Sequence, residues 1–187
     1  MGTLTTQPAV DRPDLLAPPV TRALAGWTGT VPVRGVEVAE IDPDLADTAA
    51  FCERYGVALD VSANCVVLAA RRGGETTLAA AVVLATTRAD VNGLVRRHLD
   101  ARKCSFAAVD VAVEATGMEY GGITPIGLPA DWPVLVDSAV VEAPSVVIGS
   151  GVRRSKLVLP GAALAELPMV VVIPNLGIRN QPPDTAP

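Results

Sequence analysis

Two long apolar runs joined by a glycine pair restrict the fold of this chain more than any other feature. The runs are "VSANCVVLAA" (61–70) and "TTLAAAVVLAT" (76–86), and the residues between them include "RRGGE". A Gly-Gly turn between two runs rich in Val and Leu predicts a β-hairpin. Because neither run alternates regularly with polar residues, we expect both strands to be largely buried on both faces.

Further apolar segments predict strands around the hairpin, together with several short helices. We expect strands at 31–41, 133–141, 145–151, the start of 155–168, and 169–174. We expect helices at 42–56, 89–103, 109–117 and from Pro160, with Gly56 and Gly117 as two of the ends. The strands come in runs rather than in strict alternation with helices. This order favours an α+β fold with a curved, mixed sheet of six or seven strands over a doubly wound fold.

The two ends of the chain differ in composition from the rest. Residues 1–20 are rich in Pro, Thr and Asp, and residues 177–187 end in "NQPPDTAP", so we expect mobile tails around one domain at 21–176. No basic start precedes an apolar block, and no apolar run reaches the roughly 20 residues of a membrane helix. We therefore expect a cytoplasmic protein that does not enter a membrane.

The net charge of −5 comes from the first third of the chain. Residues 1–60 hold four arginines against nine acids, whereas acids and bases balance in residues 61–187. Such a chain lacks the basic footprint of a protein that grips long nucleic acid alone. Any contact with nucleic acid is therefore expected to be local.

Cysteine and histidine are too few and too scattered to predict a zinc site. Cys52, Cys65 and Cys104 include no Cys-x-x-Cys pair, and His98 is the single histidine. We therefore expect reduced thiols and neither a metal nor another cofactor. A Ser-His-Asp site would depend on His98 alone, which lies in a basic helical segment with no catalytic motif around it.

The segment "MEYGGITPIGLP" (118–129) combines a stiff turn with apolar side chains. It contains three glycines and two prolines, and its other residues are mostly apolar. Glycine lets a ligand approach the backbone closely, and amides held in such a turn can face a carbonyl or an oxyanion. A tight connection without any ligand is the alternative.

Two other stretches place polar groups in apolar surroundings. The glycine turn "IGSG" (148–151) is followed by Arg153, Arg154 and Lys156, and a glycine turn beside cations suits a phosphate or a carboxylate. It lacks the Lys-Ser/Thr ending of a P-loop, and a solvated basic hairpin is the alternative. Asp137 interrupts the apolar run "PVLVDSAVV", so it either faces solvent or accepts hydrogen bonds.

In this order and at these separations, "TGMEYGGITPIGLP", "VLVDS" and "VIGSGVRRSKLVL" resemble the YbaK/EbsC family of aminoacyl-tRNA deacylases, which is related to the prolyl-tRNA synthetase editing domain. The resemblance covers roughly residues 31–174. It implies a single domain around a mixed, barrel-like sheet, which hydrolyses the ester of a mischarged tRNA such as Cys-tRNA(Pro) or Ala-tRNA(Pro) without a metal. The implied partners are the acceptor end of an aminoacyl-tRNA and an aminoacyl-tRNA synthetase.

The resemblance also implies a set of site residues. The first glycine turn, matched by Gly121 and Pro125, borders the aminoacyl pocket, and its amides help to hold the substrate carbonyl and the terminal adenosine. Ile123 and Ile126 supply an apolar wall for the aminoacyl side chain, and the other substrate-binding residues expected in this turn are Gly122, Thr124 and Gly127. The second turn lines the same pocket through Gly149, Ser150, Gly151 and Arg153. Asp137 matches a strand aspartate of the family, and the catalytic group expected from the resemblance is Asn64, Gly121 and Asp137. Water or a ribose hydroxyl attacks the ester, so the protein need not provide a nucleophile.

One pair of residues departs from the family pattern. Where the family deacylases usually carry Lys-Thr on the strand that enters the hairpin, this chain has Asn64 and Cys65. An amide can donate hydrogen bonds but brings no charge to a phosphate or an oxyanion. Three functions therefore stay open: trans-editing hydrolysis, a non-catalytic module that binds an acylated adenosine end, an amino acid or a synthetase, and hydrolysis of another small acyl ester.

Overall fold

The predicted hairpin lies at the centre of the computed structural model, which describes residues 2–179. Eleven strands form in these residues: β1 (Thr6–Pro8), β2 (Glu37–Glu40), β3 (Ala63–Arg72), β4 (Glu75–Leu84), β5 (Thr87–Ala89), β6 (Lys103–Phe106), β7 (Val134–Asp137), β8 (Val146–Gly149), β9 (Ser155–Leu159), β10 (Val170–Ile173) and β11 (Gly177–Arg179). The helices are α1 (Pro18–Ala25), α2 (Thr48–Tyr55), α3 (Arg96–His98), α4 (Val109–Thr116) and α5 (Ser138–Val141).

The hairpin of β3 and β4 is the middle of a five-stranded mixed sheet with the order β10-β7-β4-β3-β6. The strands β4, β7 and β10 are parallel, whereas β3 runs antiparallel to both β4 and β6. Gly73 and Gly74 form the turn with positive φ, as the Gly-Gly pair predicts. Val67 and Leu68 are both buried although they lie on opposite faces of β3, which confirms the expectation of two covered faces.

A second sheet of four antiparallel strands has the order β1-β2-β9-β8, and β5 pairs with β11 in a third, two-stranded sheet. The two larger sheets meet at one bridge, between Ser62 and Val147. The mixed α+β class is therefore confirmed. A closed barrel is not found among residues 2–179, because the strands divide into separate sheets.

Two predicted helix ends are confirmed, and each lies at a glycine. Gly56 follows α2 and Gly117 follows α4, and both adopt the left-handed conformation, with φ of 63° and 64°. The helix expected at 89–103 is shorter, consisting of a π-helical turn at Val91–Val95 that continues into α3. The helix expected from Pro160 is a 3₁₀ helix at Gly161–Glu166.

The N-terminal segment differs from the mobile tail that its composition predicts. β1 pairs with β2, and Ala9, Leu15 and Val20 are buried in the main core. Ala9 and Leu15 lie in short 3₁₀ turns without a helical or strand period, so the sequence pattern gives no sign of their burial, whereas Val20 lies in α1 one turn before the buried Leu24. Of the predicted C-terminal tail, Gly177–Arg179 forms β11, and residues 180–187 lie outside the described residues.

Two predicted strands are shorter in the structure. The segment 31–41 contains a 3₁₀ turn before β2, and the segment 133–141 ends as a strand at Asp137 and continues as the helix α5. The change at Asp137 has a local cause, because its carboxylate caps the new helix by accepting a hydrogen bond from the amide of Ala139. Within residues 2–179 no helix combines the length and the apolar character needed to cross a membrane.

Candidate active site

A cavity of about 430 Å³ opens beside the first half of β3. It lies between β3, the start of α2, the segment around the first turn of α4, and the two predicted glycine turns. Its lining residues are Ala46, Asp47, Thr48, Ala63, Asn64, Cys65, Val66, Val67, Phe106, Ala107, Val109, Ala112, Tyr120, Gly121, Ile123, Gly149 and Lys156.

The wall that β3 contributes includes backbone groups without a neighbouring strand. Ser62 directs its carbonyl oxygen towards the β4 side, where the amide of Ala85 donates to it at 2.7 Å, whereas Val67 accepts from the amide of Ala107 on the opposite side at 3.0 Å. Backbone groups alternate in direction along an antiparallel strand. The amide and carbonyl of Cys65 therefore point away from β4, towards the cavity, where they form an open strand edge.

The two glycine turns predicted from the sequence pack directly against each other at one side of the cavity. The amide of Gly151 donates to the carbonyl of Gly122 at 2.7 Å, and the amide of Glu119 donates to the carbonyl of Gly151 at 2.8 Å. A Cβ atom at Gly149 would lie 2.6 Å from the carbonyl oxygen of Ile123. Only a residue without a side chain permits this approach, so the glycines set the shape of this wall.

Arg153 holds the first glycine turn against the start of α2. Its guanidinium donates to the carbonyl oxygens of Pro43 at 3.2 Å and Tyr120 at 3.4 Å, and it lies 3.5 Å from a carboxylate oxygen of Asp47. The same side chain fills the space where a Cβ of Gly121 would stand. Arg153 therefore contacts protein groups behind the cavity wall rather than lining the cavity.

The structure divides the predicted site residues into two groups. Asn64, Gly121, Ile123 and Gly149 line the cavity. The other predicted residues lie outside its lining: Gly122, Thr124, Pro125, Ile126, Gly127, Asp137, Ser150, Gly151 and Arg153. Pro125 and Gly127 line a separate cavity of about 240 Å³ beside Trp27. The first glycine turn thus contributes to both cavities, with its early residues at the larger one.

Several residues of the second group have structural contacts that explain their positions. The Ser150 hydroxyl lies 2.6 Å from the hydroxyl of Ser155, and both side chains are fully buried. Thr124 and Ile126 are also fully buried. These buried side chains pack within the protein rather than at the cavity, so neighbouring residues form the cavity surface.

Asp137 lies at the end of β7, away from the cavity lining. Its carboxylate accepts hydrogen bonds from the amide of Ala139 at 3.0 Å and from the amide of Gly177. It is buried, and these bonds connect the start of α5 to the start of β11. Of the two alternatives for this residue, the structure has the one in which the carboxylate accepts hydrogen bonds.

Asn64 lines the cavity at the position where the family has a lysine. Its carbonyl oxygen Oδ1 accepts a hydrogen bond from the hydroxyl of Thr48 at 2.7 Å. Thr48 is the first residue of α2 and lines the cavity as well. With Oδ1 engaged, the amide nitrogen of Asn64 is the group that can donate to a ligand.

Lys156 is the functional candidate that sequence reasoning left outside the site. It lies on β9, is only 8% exposed and lines the cavity. Its Nζ donates to the carbonyl of Ala46 at 2.8 Å and lies 5.3 Å from the centre of the Phe51 ring. The pKa of Lys156 is lowered from 10.5 to about 8, chiefly by burial and also by the nearby charge of Arg153, while Asp47 and Cys52 act in the opposite direction. The available signal was a lysine inside the apolar run "SKLVL".

The thiol of Cys65 is poorly suited to act as a nucleophile in this cavity. Burial raises its pKa to about 12, so the protonated thiol is the form present near neutral pH. Among residues 2–179, no group of three or more His, Cys, Asp or Glu side chains is arranged to hold a metal ion.

Two exposed aromatic side chains form part of the cavity rim. Phe106 is 63% exposed and Tyr120 is 60% exposed, and both line the cavity. The chain has six aromatic residues in all, so one third of them stand at this opening. Exposed aromatic rings beside a cavity are suited to stack on flat ligands.

Comparisons with known proteins show relatives of this fold. Residues 42–167 match the family described as the aminoacyl-tRNA editing domain. A solved structure of a candidate trans-editing enzyme for prolyl tRNA synthetase is 20% identical, with a TM-score of 0.68 over 85% of this chain and 97% of its own. The hypothetical protein APE2540 is also 20% identical, with a TM-score of 0.65 over 73% of this chain and 88% of its own. None of the curated proteins compared with this chain matches it.

Proposed function

The chain belongs to the aminoacyl-tRNA editing domain family, and we propose that it hydrolyses the ester of a mischarged tRNA that carries a small amino acid, such as Cys-tRNA(Pro) or Ala-tRNA(Pro). The observation that carries this proposal is the combination, in one cavity, of an open strand edge at Cys65, a glycine wall and the buried cation of Lys156. Together these groups suit an ester that develops negative charge during the reaction.

The shape and polarity of the cavity support a small acyl group. Ile123 and Val67 provide apolar surface, and Gly149 adds no side chain. A volume of about 430 Å³ lies within the range of ordinary small-molecule sites. The apolar wall suits the methyl side chain of alanine or the CH2SH side chain of cysteine. The main-chain groups of Cys65 suit the polar part of the aminoacyl ester.

Charge stabilisation is the role that we assign to Lys156. Attack on the ester carbonyl carbon places negative charge on the carbonyl oxygen, and a nearby ammonium or amide donor lowers the energy of that state. Lys156 supplies the positive charge that Asn64 cannot, although it reaches the cavity from β9 rather than from β3. In this proposal Asn64 and the Cys65 amide position the ester by hydrogen bonds.

The bond changes need no nucleophile from the protein. A water molecule adds its oxygen to the carbonyl carbon, because attack by the neighbouring ribose hydroxyl would only move the acyl group to that hydroxyl and leave a new ester for water to hydrolyse. The bond from that carbon to the ester oxygen of the terminal ribose then breaks. With water, the proton of the attacking molecule passes to the departing ribose oxygen, and the products are a free amino acid and uncharged tRNA. The protonated thiol of Cys65 accords with this route, because a thiol is a much weaker nucleophile than a thiolate.

The aromatic rim supports a nucleotide as the other part of the substrate. Unpaired bases at RNA ends stack on aromatic side chains, and Phe106 and Tyr120 stand exposed where the ester would enter. We assign them to the terminal adenosine. An aminoacyl-tRNA synthetase is a further partner that this function implies.

A deacylation panel tests the proposed function. Purified protein is incubated with several mischarged tRNAs, including Cys-tRNA(Pro) and Ala-tRNA(Pro) and the correctly charged Pro-tRNA(Pro). The release of the amino acid is followed against a reaction without protein. Faster release from a mischarged tRNA than from Pro-tRNA(Pro) supports the proposal. Measurable binding without release would instead support a non-catalytic module in the same fold.

A further inference from the structure

A second group of charges lies at the far end of β3 from the cavity. Arg71, Arg102 and Lys103 line one shallow depression around the hairpin turn, and we call these three residues the strand-end basic patch. Arg71 and Lys103 are direct partners in the pairing of β3 with β6, and Arg102 precedes Lys103. Arg72 and Glu75 also line the depression.

The pairing of Arg71 with Lys103 is unfavourable for the protein alone. Side chains of directly paired residues lie about 5 Å apart at Cβ, and like charges there destabilise a sheet. Within residues 2–179 no residue of the strand-end basic patch forms an ion pair, whereas neighbouring Arg72 pairs with Asp100. An external anion would remove this repulsion.

Part of the cavity lies on the same face of the sheet as the patch. Side chains alternate along a strand, so Arg71 projects on the same side as Cys65 and Val67, whereas Asn64 and Val66 line the cavity from the other face. Lys103 shares that face because it is paired with Arg71. Arg71 lies four positions after Val67, a distance of about 13 Å along β3.

The cations of the second glycine turn are engaged with the protein. Arg153 braces the first glycine turn, and Arg154 donates to the carbonyl of Asp14. Lys156 is buried at the cavity. The basic hairpin considered from the sequence therefore offers few charges for a large anionic ligand, and the strand-end basic patch offers exposed ones.

We propose that the strand-end basic patch binds phosphate groups of the tRNA acceptor stem while the aminoacyl end occupies the cavity. This inference rests on the proposed function and extends it from the ester to the body of the substrate. Phosphates supply the missing counter-charge for Arg71 and Lys103, and the patch lies outside the cavity, about 13 Å along β3 from Val67. An acidic chain gains local attraction for RNA in this way without a wholly basic surface.

The test compares the double variant Arg71→Ala/Lys103→Ala with wild type. On mischarged tRNA, we expect KM to increase roughly tenfold with little change in kcat, because the phosphates are bound equally in ground and transition states. The slope of log affinity against log salt should become shallower by about 2, one for each lost phosphate contact. A short aminoacyl-adenosine ester, which does not reach the patch, should be hydrolysed at an unchanged rate.

A matched control removes two exposed arginines elsewhere. Arg34 and Arg54 lie outside the patch and the cavity lining, so Arg34→Ala/Arg54→Ala changes the net charge equally. We expect this control to keep the wild-type KM and salt slope. Circular dichroism and thermal melting of both double variants show that each is folded.

Binding of uncharged tRNA, measured by fluorescence anisotropy, separates this inference from the proposed function. Wild type could hydrolyse no ester in the panel and still bind tRNA more tightly than the patch variant does. That result would reject the proposed hydrolysis but support the strand-end basic patch as a tRNA-binding surface. Equal affinities and salt slopes for wild type and the patch variant would overturn the inference. Weaker binding to a synthetase, with tRNA affinity unchanged, would assign the patch to a protein partner and overturn it as well.

Discussion

The ammonium of Lys156 donates a hydrogen bond to the carbonyl of Ala46 at 2.8 Å, and this contact holds a buried cation at the edge of the cavity. We therefore expect Lys156→Met, which keeps the length and removes the charge, to lower kcat/KM for a mischarged tRNA by roughly ten- to a hundredfold. Initial rates of deacylation measure the effect. Arg54→Met, which removes a positive charge outside both the cavity lining and the strand-end basic patch, is the control. An unchanged kcat for Lys156→Met would exclude the assigned role.

The lowered pKa of Lys156 also predicts how stability depends on pH. The folded protein releases this proton near pH 8, whereas the unfolded chain keeps it until about 10.5. Between these values the unfolded state binds more protons, so the free energy of unfolding rises with pH through this contribution. The penalty of the buried charge is complete below pH 8 and is relieved, by roughly 3 kcal/mol, as pH approaches 10.5.

Denaturant unfolding of wild type and Lys156→Met at several pH values measures this contribution. Wild type should gain stability relative to the variant between pH 8 and 10.5 and show a constant difference from pH 6 to 7. A constant difference over the whole range would mean that the lysine keeps its ordinary pKa. The activity ratio of wild type to variant should fall above pH 8 for the same reason, because the neutral amine cannot offset negative charge.

Gly149 predicts a steric limit on the cavity wall. A methyl group there would lie 2.6 Å from the carbonyl oxygen of Ile123 and closer still to that of Gly122, so backbone must move. We expect Gly149→Ala to reduce deacylation strongly and to lower the free energy of unfolding by about 1–3 kcal/mol. In Gly26→Ala, the added Cβ lies 3.8 Å from its nearest neighbour, the carbonyl oxygen of Arg22, and this control should retain activity. Equal behaviour of the two variants would contradict the tight packing of the turns.

Local signals in the sequence account for the hairpin and the helix ends, but not for the burial of Lys156. Gly73 and Gly74, like Gly56, adopt positive φ through requirements of their own turn, so a short stretch of sequence reveals them. The environment of Lys156 arises from packing against Ala46, on a distant part of the chain. No period in its own strand encodes that contact.

The same distinction explains the N-terminal segment and the glycine turns. Ala9 and Leu15 fill space between other elements without a regular pattern, so composition alone suggested a tail. The hydrogen bond between Gly151 and Gly122 joins segments that are distant in the sequence. The family resemblance predicts that these two turns lie together, whereas the spacing of the glycines does not. Asp137 carried a local signal, since Asp followed by Ser can begin a helix, but the apolar residues before it favoured a longer strand.

Asp137 is expected to affect stability rather than catalysis. Asp137→Ala removes the acceptor for the amides of Ala139 and Gly177, and we expect a loss of about 1–3 kcal/mol in the free energy of unfolding. At a temperature where the variant is folded, kcat/KM should equal that of wild type. Chemical denaturation and initial rates give the two quantities. A lower kcat in the fully folded variant would show that Asp137 takes part in catalysis.

We expect that the positive charge of the cavity can be supplied from either β3 or β9. If Lys156 supplies the charge that the family places at position 64, Asn64→Lys should restore much of the activity that Lys156→Met removes. In the wild-type background the same substitution should give little gain. It adds a second positive charge to the cavity that Lys156 lines, and repulsion lowers the pKa of both amines; it also removes the oxygen that accepts from Thr48.

Initial rates for the four proteins of this double-mutant cycle measure the coupling between the two positions. Asn64→Gln in the Lys156→Met background is the uncharged control and should not restore activity. Rescue by Lys and not by Gln would identify positive charge, independent of its strand of origin, as the requirement. Additive losses in the double variant would mean that Lys156 acts through its bond to Ala46 alone, and the assignment of a charge-stabilising role would then be wrong.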